Sequence, residues 1–223
     1  MKTIAIAGVG PGLGLSLAKV FGARGFRAAL IARRAEARDG YVRHLDTLGV
    51  EAAGFPTDLG DEAQIAATFA AIKQRFGTVD VLEFSPRDPV GLPSISAANC
   101  TPDKVLKSFQ VRVLGGVACV QQVLPEMLER GDGGIFFTSG SSSMVPMAQM
   151  ASAGISTAGL RNYAYCLHDE LAPKGVYAGI VCIQLQIKPG ASPGTVGEPD
   201  GLAQHYWDMY EKLRVPSYWL PLM

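Results

Sequence analysis

Seven residues near the N-terminus, Gly8-Val9-Gly10-Pro11-Gly12-Leu13-Gly14, place four glycines between a short apolar run and a helical pattern. Glycine lets a backbone turn tightly and lets a ligand approach it closely. Backbone N–H groups left free at a helix start, with the positive end of the helix dipole, attract an anion. Strand, glycine loop and helix in that order form a cradle for a pyrophosphate. The spacing is GxxxGxG, carried by Gly8, Gly12 and Gly14, whereas GxGxxG counted from Gly8 fails at Leu13. The cradle so read comprises Gly8, Gly10, Pro11, Gly12, Leu13 and Gly14.

Two later positions agree with it. A residue about 20 positions past such a loop, at the end of the second strand, reads the ribose of a bound dinucleotide. An acid there would hold a free 2′-hydroxyl, but this chain has Arg33 and Arg34. A guanidinium fork suits a 2′-phosphate, so the expected cofactor is NADP(H) rather than NAD(H). The same arginines also suit an ordinary solvated helix start. Asp58-Leu59 follows the third strand, where Asp58 could accept from an adenine amine or cap the helix near Asp61.

The elements that must position these residues alternate. Strands are expected at Thr3–Ala7, Arg27–Ala32, Ala52–Phe55, Val79–Phe84, Gly134–Thr138 and Val176–Leu185. Helical patterns fall at Leu15–Ala23, Asp39–Leu48, Asp61–Phe76, Pro102–Glu129 and Met150–Leu171, with a tail helix at 202–213. Alternation at this spacing gives an α/β fold, a doubly wound parallel sheet in a Rossmann-like three-layer sandwich. The Pro- and Gly-rich stretch 187–201 reads as a flexible loop, and residues 1–223 as one domain. The aromatic tail around Tyr206 and Trp207 is expected to cap the pocket or join a neighbour.

Composition narrows the function. With 223 residues, 48% of them hydrophobic, the chain can bury a large core and is not disordered. Twenty basic residues balance 20 acidic ones, which disfavours nucleic acid as a partner. No apolar run approaches the ~20 residues of a membrane span, and the first strand is too short for a signal peptide. Cys100, Cys119, Cys166 and Cys182 show no CxxC and read as buried free thiols of a cytoplasmic protein. His44, His168 and His205 are scattered, so no metal is expected.

In these respects the chain resembles the short-chain dehydrogenase/reductase family over about residues 3 to 185. Ala7–Gly14 is similar to that family's TGxxxGxG. Arg33, Asp58-Leu59, Val79-Asp80-Val81-Leu82, Leu124-Pro125-Glu126-Met127 and Gly133–Ser139 fall in its order and spacing. The resemblance implies a nicotinamide cofactor, hydride transfer, and pairing through the two long helices into a homodimer or homotetramer.

The family's catalytic set does not carry over. Family members use a Ser, a Tyr and Lys spaced YxxxK on one helix, and an Asn on the preceding long helix. Here the Ser position is Gly140, the Tyr position Ala153, the Lys position Thr157 and the Asn position Arg112. Phe84-Ser85-Pro86-Arg87 replaces NNAG, with Ser85 retained as a cofactor contact, and Ile183-Gln184 replaces Pro-Gly. Tyr163 lies 10 residues past Ala153, about 15 Å along the helix, so no slip of register restores the tyrosine. Tyr163, Tyr165 and His168 are expected in the core or at a subunit contact. Candidates for a replacement are Arg112, as a fixed charge for an oxyanion or carboxylate, and Ser139 or Ser141, as hydrogen-bond donors. Met144, Met147 and Met150 are expected to line an adaptable apolar wall, with Gln149 and Gln184 near its mouth.

Three functions fit. The first is an oxidoreductase acting on a small or medium apolar carbonyl- or imine-like compound without the usual Tyr–Lys acid. The second is a non-redox enzyme for cyclisation, dehydration or isomerisation. The third is a non-catalytic NADP(H) sensor or oligomer partner.

Overall fold

Thr3–Ala7 (β1) is buried at every position, as a strand covered on both faces must be. The computed structural model describes residues 1–87, 95–192 and 194–212. Around β1 lie Arg27–Ile31 (β2), Ala52–Phe55 (β3), Val81–Phe84 (β4), Gly133–Gly140 (β5) and Val176–Ile183 (β6). All pair in parallel, in the order β3-β2-β1-β4-β5-β6. The order reverses between β1 and β4, and at such a switch point a crevice opens beyond the strand ends.

One face carries Leu13–Gly22 (α1), Ala35–Thr47 (α2) and Pro199–Lys212 (α7). Its core joins Ile4, Ile6, Leu17, Phe21, Leu30, Phe136 and Tyr206. The other face carries Glu62–Phe76 (α3), Pro102–Phe109 (α4), Gly115–Arg130 (α5) and Ala151–Leu171 (α6). Phe69, Ile72, Phe84, Val123, Phe137 and Leu160 fill its core.

Several boundaries differ from expectation for identifiable reasons. Strand β4 begins at Val81 rather than Val79, because the Asp80 carboxylate takes the Thr3 N–H at 2.7 Å. Helix α2 begins four residues before Asp39. The expected single helix Pro102–Glu129 is two helices joined by a π-helical turn at Gln110–Leu114. There a Cβ on Gly115 would collide with the Leu59 carbonyl oxygen, so the bent helix seats directly on the β3–α3 loop.

Helix α7 also starts early, at Pro199. The Glu198 carboxylate accepts from the N–H groups of Asp200 (2.6 Å) and Gly201 (2.8 Å) and so caps the first turn. This shortens the expected loop, whose stem is tied by Lys188 N–H to the Gly197 carbonyl at 2.9 Å. Pro193 and Leu213, the latter expected at the helix end, lie outside the described residues.

The aromatic tail packs on the α1 face of the sheet. Tyr206 is fully buried against Phe136, while Trp207 and Tyr210 pack on Phe21 and Phe26. The thiols are free, but only Cys119 and Cys182 are buried, Cys100 is half-buried and Cys166 is exposed. Among the described residues no helix is long and apolar enough to cross a membrane.

Candidate functional site

The glycine turn is built by close approach. Gly8 has φ +107°, and a Cβ there would lie 2.8 Å from the backbone of Ser85 and Pro86. Its N–H and that of Val9 both donate to the Ile31 carbonyl, at 2.9 and 3.1 Å, which joins the turn to the end of β2. Gly14 packs on Val9, where a Cβ would approach to 2.9 Å. Gly10 has nothing within 4 Å of a Cβ position, so its backbone borders open space. Helix α1 starts after Gly12 with no side-chain cap and no acidic residue in its first turn. The Leu15 N–H donates to the Gly10 carbonyl at 3.0 Å, but no side chain claims the N–H groups before it, and the residues fit a pyrophosphate. Pro11 is exposed at the rim, and Leu13 is buried in the core beneath. Ile187 and Pro189 reach back over Gly12 from the segment after β6.

Arg33 and Arg34 are both exposed at the β2–α2 turn, with Arg34 in the extended residue that precedes the helix. Arg38, one turn further on, is a third arginine that sequence reasoning passed over because α2 was expected to begin after it. It is buried, pairs with Asp39 at 3.0 Å, and lies flat on Gly54 of β3. Asp58 does not cap α3. Its Oδ1 accepts from Gly60 N–H at 2.9 Å, and Asp61 is the cap, accepting from Gln64 N–H at 3.1 Å. That hydrogen bond holds the Asp61 carboxyl below its ordinary value. Leu59 is buried, fixed by Gly115.

At the other end of the crevice the expected positions are closed. Ala153 and Thr157 are buried in α6, where the Thr157 hydroxyl donates to the Ala153 carbonyl at 2.8 Å. Neither can deliver a proton. Gly140 ends β5, and its carbonyl accepts from the Ser143 hydroxyl at 2.8 Å. Ser141 is half-exposed, with Met147 Sδ at 3.9 Å from its hydroxyl. Ser139 is buried with no hydrogen-bond partner among the described residues. Arg112 sits half-buried in the π-helical turn, a local geometry frequent at functional sites. Met144 and Met150 are half-buried, and Met147, Gln149 and Gln184 are exposed. Tyr163 packs edge-on against Phe137, and His168 Nδ1 lies 2.9 Å from the Ala178 carbonyl. These two are core residues.

Sequence reasoning missed a buried acid. Glu83 lies on β4 between Ile6 and Phe136, with no exposed surface. It accepts from the Thr138 hydroxyl at 2.7 Å and the Ser85 hydroxyl at 3.0 Å, while Thr138 Oγ1 and Tyr206 Oη lie 2.7 Å apart. Burial pushes the carboxyl up to about 7, and the two hydroxyls only moderate this. Tyr206, also buried and beside Glu83, is pushed well above the usual phenol range. The available signal was one acid inside the apolar run Val81-Leu82-Glu83-Phe84.

The family model for short chain dehydrogenase matches residues 2–186. The chain belongs to the short-chain dehydrogenase family. A candidate ketoacyl reductase of Streptomyces coelicolor is 29% identical over 210 residues, spanning 92% of this chain and 76% of that protein. A Drosophila melanogaster protein, dehydrogenase/reductase SDR family protein 7-like, is 31% identical over 225 residues, 91% of this chain and 68% of its own. A variant of actinorhodin polyketide ketoreductase, solved with NADPH, superposes with a TM-score of 0.77 at 27% identity, covering 94% of this chain and 77% of that one. The chain is thus a member of the short-chain dehydrogenase family by sequence and by fold.

Proposed function

We propose that this short-chain dehydrogenase is an NADP(H)-dependent oxidoreductase that reduces a small or medium apolar compound bearing a carbonyl- or imine-like group. One observation carries the reading: an uncapped α1 opens on the free space at Gly10, one strand away from the exposed Arg33-Arg34 pair. Gly8, Gly10, Pro11, Gly12, Leu13 and Gly14 would hold the pyrophosphate, Arg33 and Arg34 the 2′-phosphate, and Asp58, Leu59 and Ser85 the rest of the nucleotide. When bound, a reduced nicotinamide supplies a hydride. Relatives named as ketoacyl reductases and ketoreductases support a carbonyl substrate. Met144, Met147 and Met150 would supply the adaptable apolar wall, and Arg112, Ser139 and Ser141 the polar contacts to the substrate. Leu106, Leu114 and Ile155, exposed on α4, the π-helical turn and α6, support pairing through these elements into a homo-oligomer.

The test is a fluorescence titration with NADPH and NADH, followed by NADPH oxidation against ketones, quinones and cyclic imines. Arg33→Ala is expected to weaken NADPH by about 10- to 100-fold and leave NADH nearly unchanged, as loss of a charged hydrogen bond requires. Equal loss of both nucleotides would refute the phosphate assignment.

A further inference from the structure

The bridging pyrophosphate of a nicotinamide dinucleotide is an anion, and the turn that fits it offers backbone alone. Residues 8–22, from the first glycine to the end of α1, contain one charged side chain, Lys19. Its ammonium is bonded to the Asp200 carboxylate at 2.7 Å. Arg33 and Arg34 stand at the β2–α2 turn, where they suit the 2′-phosphate.

A cation comes from the segment after β6. The side chains of Ile187 and Pro189 both pack on Gly12: a Cβ there would lie 2.9 Å from Ile187 Cγ2 and 3.6 Å from Pro189 Cγ. Lys188 lies between them, one Cα step of about 3.8 Å from each. Its backbone is held on both sides. The Lys188 N–H donates to the Gly197 carbonyl at 2.9 Å, and the Lys188 carbonyl accepts from the Ala191 N–H at 3.0 Å. A Cβ on Gly197 would strike the Gln186 carbonyl oxygen, so the two limbs of this strap touch. The strap meets the turn two residues from Gly10, whose Cβ position borders open space. Lys188 itself is exposed, and among the described residues no carboxylate pairs with its ammonium.

We propose that Lys188 is the counter-charge of the pyrophosphate, carried to the phosphate turn by a strap that docks on Gly12. This deepens the reading of the glycine turn as a nicotinamide nucleotide site and rests on it. A flexible four-carbon stem lets the ammonium swing to a ligand at the turn while the backbone stays docked. Ammonium to phosphate is a charge-assisted contact, about twice as strong as a neutral hydrogen bond. The pyrophosphate is common to NADP(H) and NAD(H), so Lys188 strengthens both, and the arginine pair is left to tell them apart. Arg87 is exposed too, but it lies on the Gly8 side, where the backbone of Ser85 and Pro86 fills the space.

The experiment compares ligands that carry the pyrophosphate with one that does not. NADPH and NADH are titrated by fluorescence, and ADP-ribose and 2′-AMP by displacement of bound NADPH. Lys188→Ala is expected to weaken NADPH, NADH and ADP-ribose alike, by about 10-fold, and to leave 2′-AMP within about a factor of two. Lys188→Arg should restore most of that affinity, and NADH binding should depend less on salt in Lys188→Ala than in the wild type. Unchanged binding of NADH and ADP-ribose by Lys188→Ala overturns the assignment. An equal loss of 2′-AMP also overturns it, because that marks a general disturbance of the site. A loss in Arg87→Ala with none in Lys188→Ala would place the counter-charge on the Gly8 side and overturn it as well. A wild-type chain that binds none of NADPH, NADH and ADP-ribose defeats the nucleotide reading itself, and the role of Lys188 with it.

Discussion

The glycine turn and the Glu83 cluster beside it are assembled from different materials. The first is made of backbone at Gly8–Gly14, beside two exposed guanidinium groups, held by strand ends and glycine contacts. The second is made of side chains packed in the core: the Glu83 carboxyl and the Tyr206 phenol share the Thr138 hydroxyl, and Ser85 donates to the carboxyl, on residues from β4, β5, α7 and the turn after β4. Backbone recognition depends on spacing and local conformation, so it survives wide changes of sequence. A buried acid depends on every group around it, because burial sets its proton affinity. Such a site can be rebuilt only by changing several packed residues together.

That contrast can be broken in three ways. The largest effect is expected from Tyr206→Ala, which empties the core beside Glu83 and should cost about 3–5 kcal/mol of stability, read by denaturant unfolding. A loss under about 1 kcal/mol would mean that α7 does not hold this cluster together. Next comes pH. The folded Glu83 carboxyl, at about 7, binds its proton more tightly than the unfolded chain does, near 4.5. Its stabilising effect is complete below the unfolded value and is lost as pH rises through the folded one. Stability should therefore fall by roughly 3 kcal/mol from acid to mildly alkaline pH, and this slope should be missing in Glu83→Gln. An identical slope in both proteins would place the titration elsewhere. The smallest effect is expected from Thr157→Val. It removes one internal hydrogen bond, so stability should change by about 1 kcal/mol or less, and NADPH oxidation should stay within a factor of two. A tenfold loss of turnover would show that this position still serves the chemistry.

The uneven legibility of the sequence follows from the same division. The strands β1 and β3 are as the apolar runs Thr3–Ala7 and Ala52–Phe55 require, because buried parallel strands need little beyond hydrophobicity and length. The glycine spacing located the phosphate turn for a similar local reason. The π-helical turn at Arg112 was invisible, since the helical period runs through it and the Leu59 carbonyl packed on the adjoining Gly115 is distant in sequence. Glu83 looked like one acid in a strand, because its partners Thr138 and Tyr206 lie 55 and 123 positions away. The packing of the aromatic tail was not legible, because its partners Phe21 and Phe26 are distant in sequence.

The packing of α7 on α1 has a consequence for biogenesis. The first helix, which follows the glycine turn, keeps its aromatic flank bare until residues 199–212 have left the ribosome and Trp207 and Tyr210 can settle on Phe21. A nascent chain thus carries a completed glycine turn on an unfinished support until those residues have emerged.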